Sequence, residues 1–372
     1  MKYPVAVPNL SGNERKYVLD CMDTTWISSN GKYVEQFEQE FAHWVGSEHA
    51  VSCCNGTVAL HLALLVLGIG PGDEVLVPSF TYISTANAVH YCGATPVFVD
   101  CLRDTWNIDP EDAERKITEK TKAIIPVHLY GNPCDMDAMM SLAEARHLTV
   151  IEDAAECHGG KYKGKLTGSI GHLGCFSFFG NKIITTGEGG MVTTGNAAFA
   201  ETLRRLKGQG MSTNKRFWFD MVGYNYRMTN IEAAIGLGQL ERIEEHIAAR
   251  QQVAKWYREE LADFGEDIEL QCVTPGSESV EWMFSILLKK ETGLDRDQLA
   301  AFLGEKEIET RPLFYPMHIM PVYRDENARC PVSEDIAARG LNLPTHDLLT
   351  REDITYICSQ IRSMEDGYLA SG

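Results

Sequence analysis

Lys182 is a lone lysine in Phe176-Ser-Phe-Phe-Gly-Asn-Lys182-Ile-Ile-Thr-Thr-Gly-Glu-Gly-Gly190, where aromatic and glycine neighbours solvate an ammonium group poorly. An amine shielded from water loses part of its preference for the charged form, so its pKa falls and it can attack a carbonyl to form an imine. Pyridoxal phosphate offers such a carbonyl. On this run alone, a solvated lysine in a loop between two strands explains the residues equally well, because buried lysines are rare.

Other groups fit the same chemistry. Asp153 ends the apolar run Leu148-Thr-Val-Ile-Glu-Asp153. The carboxyl ends of strands in open α/β sheets are where ligands sit, and a carboxylate there can pair with a protonated pyridine nitrogen. Capping a turn is its other use. Asn55-Gly56-Thr57 stands between a strand pattern and a helical one, so the amides of Gly56 and Thr57 would face an anion such as a phosphate. Helix capping by Asn55 accounts for the same residues. Ser177 could add a hydroxyl to that phosphate or be a small strand residue, and Tyr82 could stack on a flat heteroaromatic ring or simply pack. Convergence favours the common site, since all of these fall at strand ends of one sheet.

Two further stretches read as substrate contacts. Gly223-Tyr-Asn-Tyr-Arg227-Met-Thr-Asn230 and Arg311-Pro-Leu-Phe-Tyr-Pro-Met-His318 each carry an arginine whose planar fork suits an anionic group, with a surface ion pair as the alternative for each. His158 and His318 read as structural before catalytic.

The elements that must position these residues are those of a parallel sheet with crossover helices. Strand patterns occur at 49–53, 74–78, 96–100, 122–128, 148–153, 175–179 and 190–194, and helical patterns at 57–67, 84–91, 109–117 and 135–147. Gly68 and Gly93 are helix stops, and 57–67, apolar nearly all round, should lie buried on the sheet. Residues 228–264 carry one long helical pattern, and the remainder mixes a strand at 282–288 with helices at 296–303 and 351–364. The first 45 residues hold one amphipathic helix and the polar loop Thr24-Thr-Trp26-Ile-Ser28-Ser-Asn-Gly31. The expected division is an N-terminal arm with a large α/β cofactor-binding domain over 1–240 and a smaller α+β domain over 241–372.

Bulk composition narrows the partners. Hydrophobic content of 44% with 23% charged residues is ordinary for a soluble globular protein, no apolar run approaches the roughly 20 residues that span a bilayer, and the N-terminus lacks a secretory apolar core. A cytoplasmic protein is expected, with its eleven cysteines as reduced thiols. No zinc spacing occurs, and metal use is not indicated. A net charge of −18 disfavours nucleic acid and anionic membranes as partners, so an anionic substrate requires a local cationic cluster.

The ordered set Thr24-Thr-Trp-Ile-Ser28, Asn55-Gly-Thr-Val-Ala-Leu-His-Leu-Ala63, Gly70-Pro-Gly-Asp-Glu74, Val127-His-Leu-Tyr-Gly131, Glu152-Asp-Ala-Ala-Glu156, the lysine segment, 223–230 and Glu309-Thr-Arg-Pro312 resembles the DegT/DnrJ/EryC1/StrS sugar aminotransferases across essentially the whole chain. The resemblance implies a fold-type I, pyridoxal phosphate-dependent aminotransferase with a seven-stranded, mostly parallel sheet, working as a homodimer with shared active sites. It makes Lys182 the imine lysine and Asp153 the pyridinium partner. Tyr82 takes the stacking role; Gly56, Thr57 and Ser177 take the phosphate, joined by Asn225 from the neighbouring subunit. Glu156 falls where the cofactor's phenolic oxygen is met and where many relatives carry glutamine, which raises the question of its protonation. The implied reaction moves an amino group from L-glutamate to carbon 4 of GDP-4-keto-6-deoxy-D-mannose, giving GDP-perosamine and 2-oxoglutarate. Trp26, Tyr224, Arg227, Arg311 and His318 are the expected sugar and diphosphate contacts. Another nucleotide-linked keto-sugar is the main alternative, and a non-catalytic cofactor-binding protein a further one. A dehydratase of the same family would carry histidine in place of Lys182.

Overall fold

In a computed structural model, which describes residues 1–264, 267–289 and 295–369, the centre of the molecule is a seven-stranded sheet. The end of the expected C-terminal unit, residues 370–372, lies outside the described residues. The strands are β1 (His49–Cys53), β2 (Glu74–Pro78), β3 (Thr95–Val99), β4 (Thr121–Ile124), β5 (Thr149–Asp153), β6 (Leu173–Ser177) and β7 (Gly190–Thr194), side by side in the order β1-β7-β6-β5-β4-β2-β3. Only β7 runs against the others. Nearly every sheet position is buried, as expected of strands with covered faces.

Each of the seven expected strands is present, with small shifts: the third begins at Thr95, the fourth ends at Ile124, and the sixth runs from Leu173 to Ser177. The helix Gly56–Val66 lies buried on the sheet. It ends where Gly68 turns left-handed at φ 73°, a conformation free of Cβ strain only for glycine.

Two helical expectations change. The first 45 residues form two helices, Glu14–Thr24 and Lys32–Val45. The first buries only Glu14 and Cys21 and so shows little apolar stripe, whereas the second sets Phe37 and Phe41 against Phe176 and Phe178 behind the sheet. The long pattern at 228–264 is broken into Asn230–Leu240 and Ile243–Glu260, because Arg242 leaves helical geometry at φ −123°. The first of these opens with a capping box in which Thr229 and Glu232 satisfy each other's backbone amides.

The C-terminal part holds a four-stranded antiparallel sheet in the order Ile268–Leu270, Phe284–Leu288, Gly340–Leu343, Arg311–Pro312. Its apolar cluster is shared with the helices Ile243–Glu260, Arg296–Glu305 and Arg351–Leu369. Trp282 and Met283, just before Phe284–Leu288, pack instead with the core beneath β6 and β7. A third, three-stranded sheet of two-residue strands was not foreseen; it pairs Lys161–Tyr162 with Lys165–Leu166 and Ser277–Glu278.

Candidate active site

A cavity of about 700 Å³ opens at the carboxyl ends of β2, β5 and β6. It is lined by Gly56, Thr57, Tyr82, Asp153, Glu156, Ser177, Lys182 and Arg311, eight of the residues singled out from sequence, and also by Tyr130, Trp282, Phe314 and Asn342. Lys182 rides on the loop between β6 and β7. That loop is tied at its base by Phe178 N–H to Gly189 O (2.8 Å) and Thr186 N–H to Phe178 O (2.9 Å), and at its tip by Lys182 N–H to Phe179 O (2.9 Å). The Lys182 Nζ lies 3.8 Å from Glu156 Oε1 and 3.8 Å from the centroid of the Trp282 ring. Burial holds this amine below the ordinary lysine range, against the opposing pull of Glu156 and Asp153. A partly neutral amine at working pH is what nucleophilic attack requires.

Asp153 is buried at the end of β5, where its Oδ2 accepts from Thr85 Oγ1 at 2.9 Å and its Oδ1 from Ala155 N–H at 3.2 Å. Burial pushes its carboxyl above the usual aspartate value; the Thr85 and Ala155 hydrogen bonds and the Lys182 charge oppose this without cancelling it. A protonated ring nitrogen brought to this carboxylate would relieve that cost. Glu156 accepts from Tyr130 N–H at 3.0 Å, and Tyr130 holds a left-handed backbone at φ 56° to offer it. Burial raises the Glu156 carboxyl to about 7, the nearby Lys182 and the Tyr130 amide working in the other direction.

The helix Gly56–Val66 points its N-terminus into the cavity. Asn55 caps it by accepting from Val58 N–H at 2.9 Å, so capping and anion binding are both served by the tripeptide. The amides of Gly56 and Thr57 remain as outward donors at a positive helix end. Gly56 also lets the helix approach β6, since a Cβ there would meet Ser177 Cβ at 2.6 Å. Gly190 likewise lets β7 pass Asn55 O, 2.4 Å from where a Cβ would stand. The Ser177 hydroxyl is thereby set beside the two amides. Three donors, a buried carboxylate lacking a close cation and a desolvated lysine together fit a phosphorylated pyridine aldehyde.

The other sequence candidates lie elsewhere in the single chain. Trp26 is 58% exposed on the loop before Lys32–Val45. Tyr224 stacks on Tyr226 at 4.8 Å, and Asn225 and Arg227 are exposed and bonded to each other at 3.0 Å. His318 is buried, with Nδ1 2.7 Å from Ser79 Oγ and Nε2 3.1 Å from Glu334 Oε1. His158 is buried between Phe176 and Phe178 with its pKa pushed down to about 3 by burial, and its ring nitrogens make no well-formed hydrogen bond among the described residues. Among residues not singled out from sequence, Trp282 covers the lysine, and Tyr130 and Phe314 stack at 5.2 Å along the cavity wall. Tyr130 was part of a motif, but Trp282 gave only a strand signal. Among the described residues no cluster of three or more His, Cys, Asp or Glu side chains could hold a metal, and no helix is long and apolar enough to cross a membrane.

Known proteins resemble this chain in sequence and in fold. A GDP-perosamine synthase of Caulobacter vibrioides is 53% identical over 96% of this chain and 96% of its own, and one of Escherichia coli O157:H7 is 49% identical over 97% and 98%. Among solved structures, S. venezuelae DesV in complex with a ketimine intermediate superposes with a TM-score of 0.89 at 34% identity, covering 95% of this chain and 94% of that one. The profile of the DegT/DnrJ/EryC1/StrS aminotransferase family matches residues 8–362. The chain belongs to the DegT/DnrJ/EryC1/StrS aminotransferase family.

Proposed function

We propose that the chain is a pyridoxal phosphate-dependent aminotransferase that moves the amino group of L-glutamate to carbon 4 of GDP-4-keto-6-deoxy-D-mannose, giving GDP-perosamine and 2-oxoglutarate. The observation that carries the chemistry is the meeting of Lys182, Asp153 and the Gly56–Thr57–Ser177 donors in one cavity. The choice of sugar rests on relatives 45–53% identical over nearly their full lengths, each a GDP-perosamine synthase.

Gly56, Thr57 and Ser177 hold the phosphate, Asp153 the ring nitrogen, Tyr82 a ring face, and Glu156 completes the cofactor contacts beside the amine. Bound there, pyridoxal phosphate supplies an aldehyde for the lysine and a ring that draws electrons from the substrate carbon. Lys182 would anchor it through its amine and, once displaced by the amino donor, would carry a proton between the substrate carbon and the cofactor's aldehyde carbon. Arg311 stands at the cavity mouth, held by Glu309 at 3.2 Å, where its fork can turn to the diphosphate. The large cofactor-binding part is assigned to residues 1–240, and 241–372 supply Trp282 and Arg311.

The protein works as a homodimer with shared sites in the cytoplasm. Supporting the dimer, Phe217, Trp218, Phe219 and Val222 are all more than half exposed beside Tyr224, Asn225 and Arg227, and Leu19, Met22, Trp26 and Ile27 form another exposed apolar group. Solvent-facing apolar side chains in such number mark a contact surface. A second copy would bring Asn225 to the phosphate and Trp26, Tyr224 and Arg227 toward the nucleotide sugar, whereas His318, buried between Ser79 and Glu334 of its own chain, is held back from such a contact. Incubation of purified protein with glutamate and a panel of nucleotide-linked 4-keto-6-deoxy sugars tests the reading. Amination of the GDP-linked mannose derivative is expected; amination of only a dTDP- or UDP-linked sugar would overturn the substrate and leave the reaction class.

A further inference from the structure

We propose that Trp282 is a positioning residue for Lys182, its ring face holding the lysine nitrogen whenever that nitrogen carries a proton. The inference rests on the reading of Lys182 as the reacting amine. Nζ stands 3.8 Å from the ring centroid, well inside the roughly 6 Å over which a ring quadrupole attracts a cation. The ring itself is fixed. Its Nε1–H donates to Asn181 O at 2.8 Å, the carbonyl immediately before the lysine, and its backbone carbonyl accepts from the buried Arg250 Nη1 at 3.3 Å. The Tyr130 ring lies nearly parallel to it, with centroids 6.4 Å and planes 24° apart. Trp282 is 4% exposed, so water has little access to that side of the amine.

The consequence is chemical. In proton transfer Lys182 would take a proton from one of two carbons, the substrate's or the cofactor's, and deliver it to the other, so it would pass through a charged state inside a site that burial makes hostile to charge. Two carboxyl groups act on that charge, Glu156 and Asp153. Asp153 is committed to the ring nitrogen, and Glu156, raised to about 7, is a weak anion at neutral pH. An aromatic face favours a cation without taking its proton, so Trp282 stabilises the charged lysine while leaving it able to return the proton.

Fluorotryptophans placed at position 282 alone, with zero to four fluorines, drain the ring quadrupole while keeping shape, burial and the N–H. Holoenzyme carrying each is titrated by visible absorbance, which follows the proton on the Lys182 nitrogen. A cation held by the ring has its pKa raised by it, so the midpoint should fall in order of fluorine count. The kcat should fall with it, by about tenfold across the series, with the KM for glutamate and for the nucleotide sugar unchanged. A flat midpoint with unaltered kcat would overturn the inference. A Lys182→Ala protein that still binds the cofactor covalently would overturn the lysine assignment itself, and the inference with it.

Discussion

The lysine loop and the segment 211–227 both carry residues assigned to one reaction, yet the chain treats them oppositely. The backbone of the Lys182 loop is tied within the same chain and Phe176, Phe178, Tyr130 and Trp282 are buried, with Phe179 exposed at the cavity and the buried Asn181 Oδ1 making no hydrogen bond among the described residues. In 211–227 the rings of Phe217, Trp218 and Phe219 face solvent, and Asn225 and Arg227 bond to each other. One region is finished by folding. The other is anchored at one end by Cys54 N–H to Tyr226 O (2.9 Å) and by Tyr224 and Tyr226 against His61, is otherwise held by bridges such as Met211 to Phe219 and Gly208 to Asn225, and leaves apolar surface uncovered. The single chain thus brings the candidate chemical groups into one cavity and leaves the candidate substrate contacts of 211–227 beside an exposed apolar surface.

The largest effects should come from the finished region. Lys182→Ala should lower amination by about 10⁴-fold or more, because anchor and proton carrier are lost together, and it should leave the thermal midpoint nearly unchanged. Asp153→Asn removes the buried carboxylate that faces a ring cation. Loss of one partner of a buried pair costs about 3–5 kcal/mol, so cofactor affinity measured by dialysis and absorbance should weaken by roughly 10²-fold to several thousand-fold.

Glu156 gives a prediction with a sign. Its carboxyl titrates near 7 in the folded protein against an ordinary value of 4.5. Between those values the native state holds a proton that the unfolded chain has released, so the group's contribution to stability is full below about 4.5 and is lost as pH rises through 7. Glu156→Gln removes that loss. The stability of the variant relative to the parent should therefore climb by as much as about 3 kcal/mol from pH 4.5 to above 7 and level off beyond, as read by urea titration. A difference that is constant with pH would show that the carboxyl is ionised throughout.

The same contrast explains what the sequence disclosed. Lys182 and Asp153 were legible because each combines a chemically suited side chain with a strand end, and strand ends show in a short apolar run. Gly56 and Thr57 were legible for a similar reason, as a helix start after a strand. Trp282 was not. Its own segment reads as the beginning of a core strand, and what sets its ring over the lysine is the pairing of Phe284–Leu288 with Gly340–Leu343 and the turn at Tyr130, both remote in sequence. The helix Glu14–Thr24 escaped because an element that buries two residues leaves no periodic stripe to read. Tyr224 and Arg227 were named from a motif, and in the single chain neither lines the cavity.

The open region should answer to smaller, more selective changes. Trp218→Asp with Phe219→Asp puts charge on the exposed aromatic surface, and light scattering should show the particle mass halved. Cofactor capture by Lys182 should persist, weakened by the loss of Asn225 from the partner copy. If the doubly substituted protein stays dimeric with full activity, the contact lies elsewhere. The smallest effect is expected from Arg227→Gln. Arg227 is solvent-exposed and hydrogen-bonds to the exposed Asn225, so stability should not change. A charge-assisted contact to the diphosphate is worth about 1–2 kcal/mol, so KM for the nucleotide sugar should rise roughly 5- to 30-fold. The first half of the reaction, from glutamate to the amine-loaded cofactor, should run at the parental rate, since glutamate carries no diphosphate. That split separates the two regions: a substitution in the lysine loop slows both halves, whereas one in 211–227 should be felt only when the nucleotide binds. Equal slowing of both halves by Arg227→Gln would place the arginine with the chemistry and dissolve the distinction.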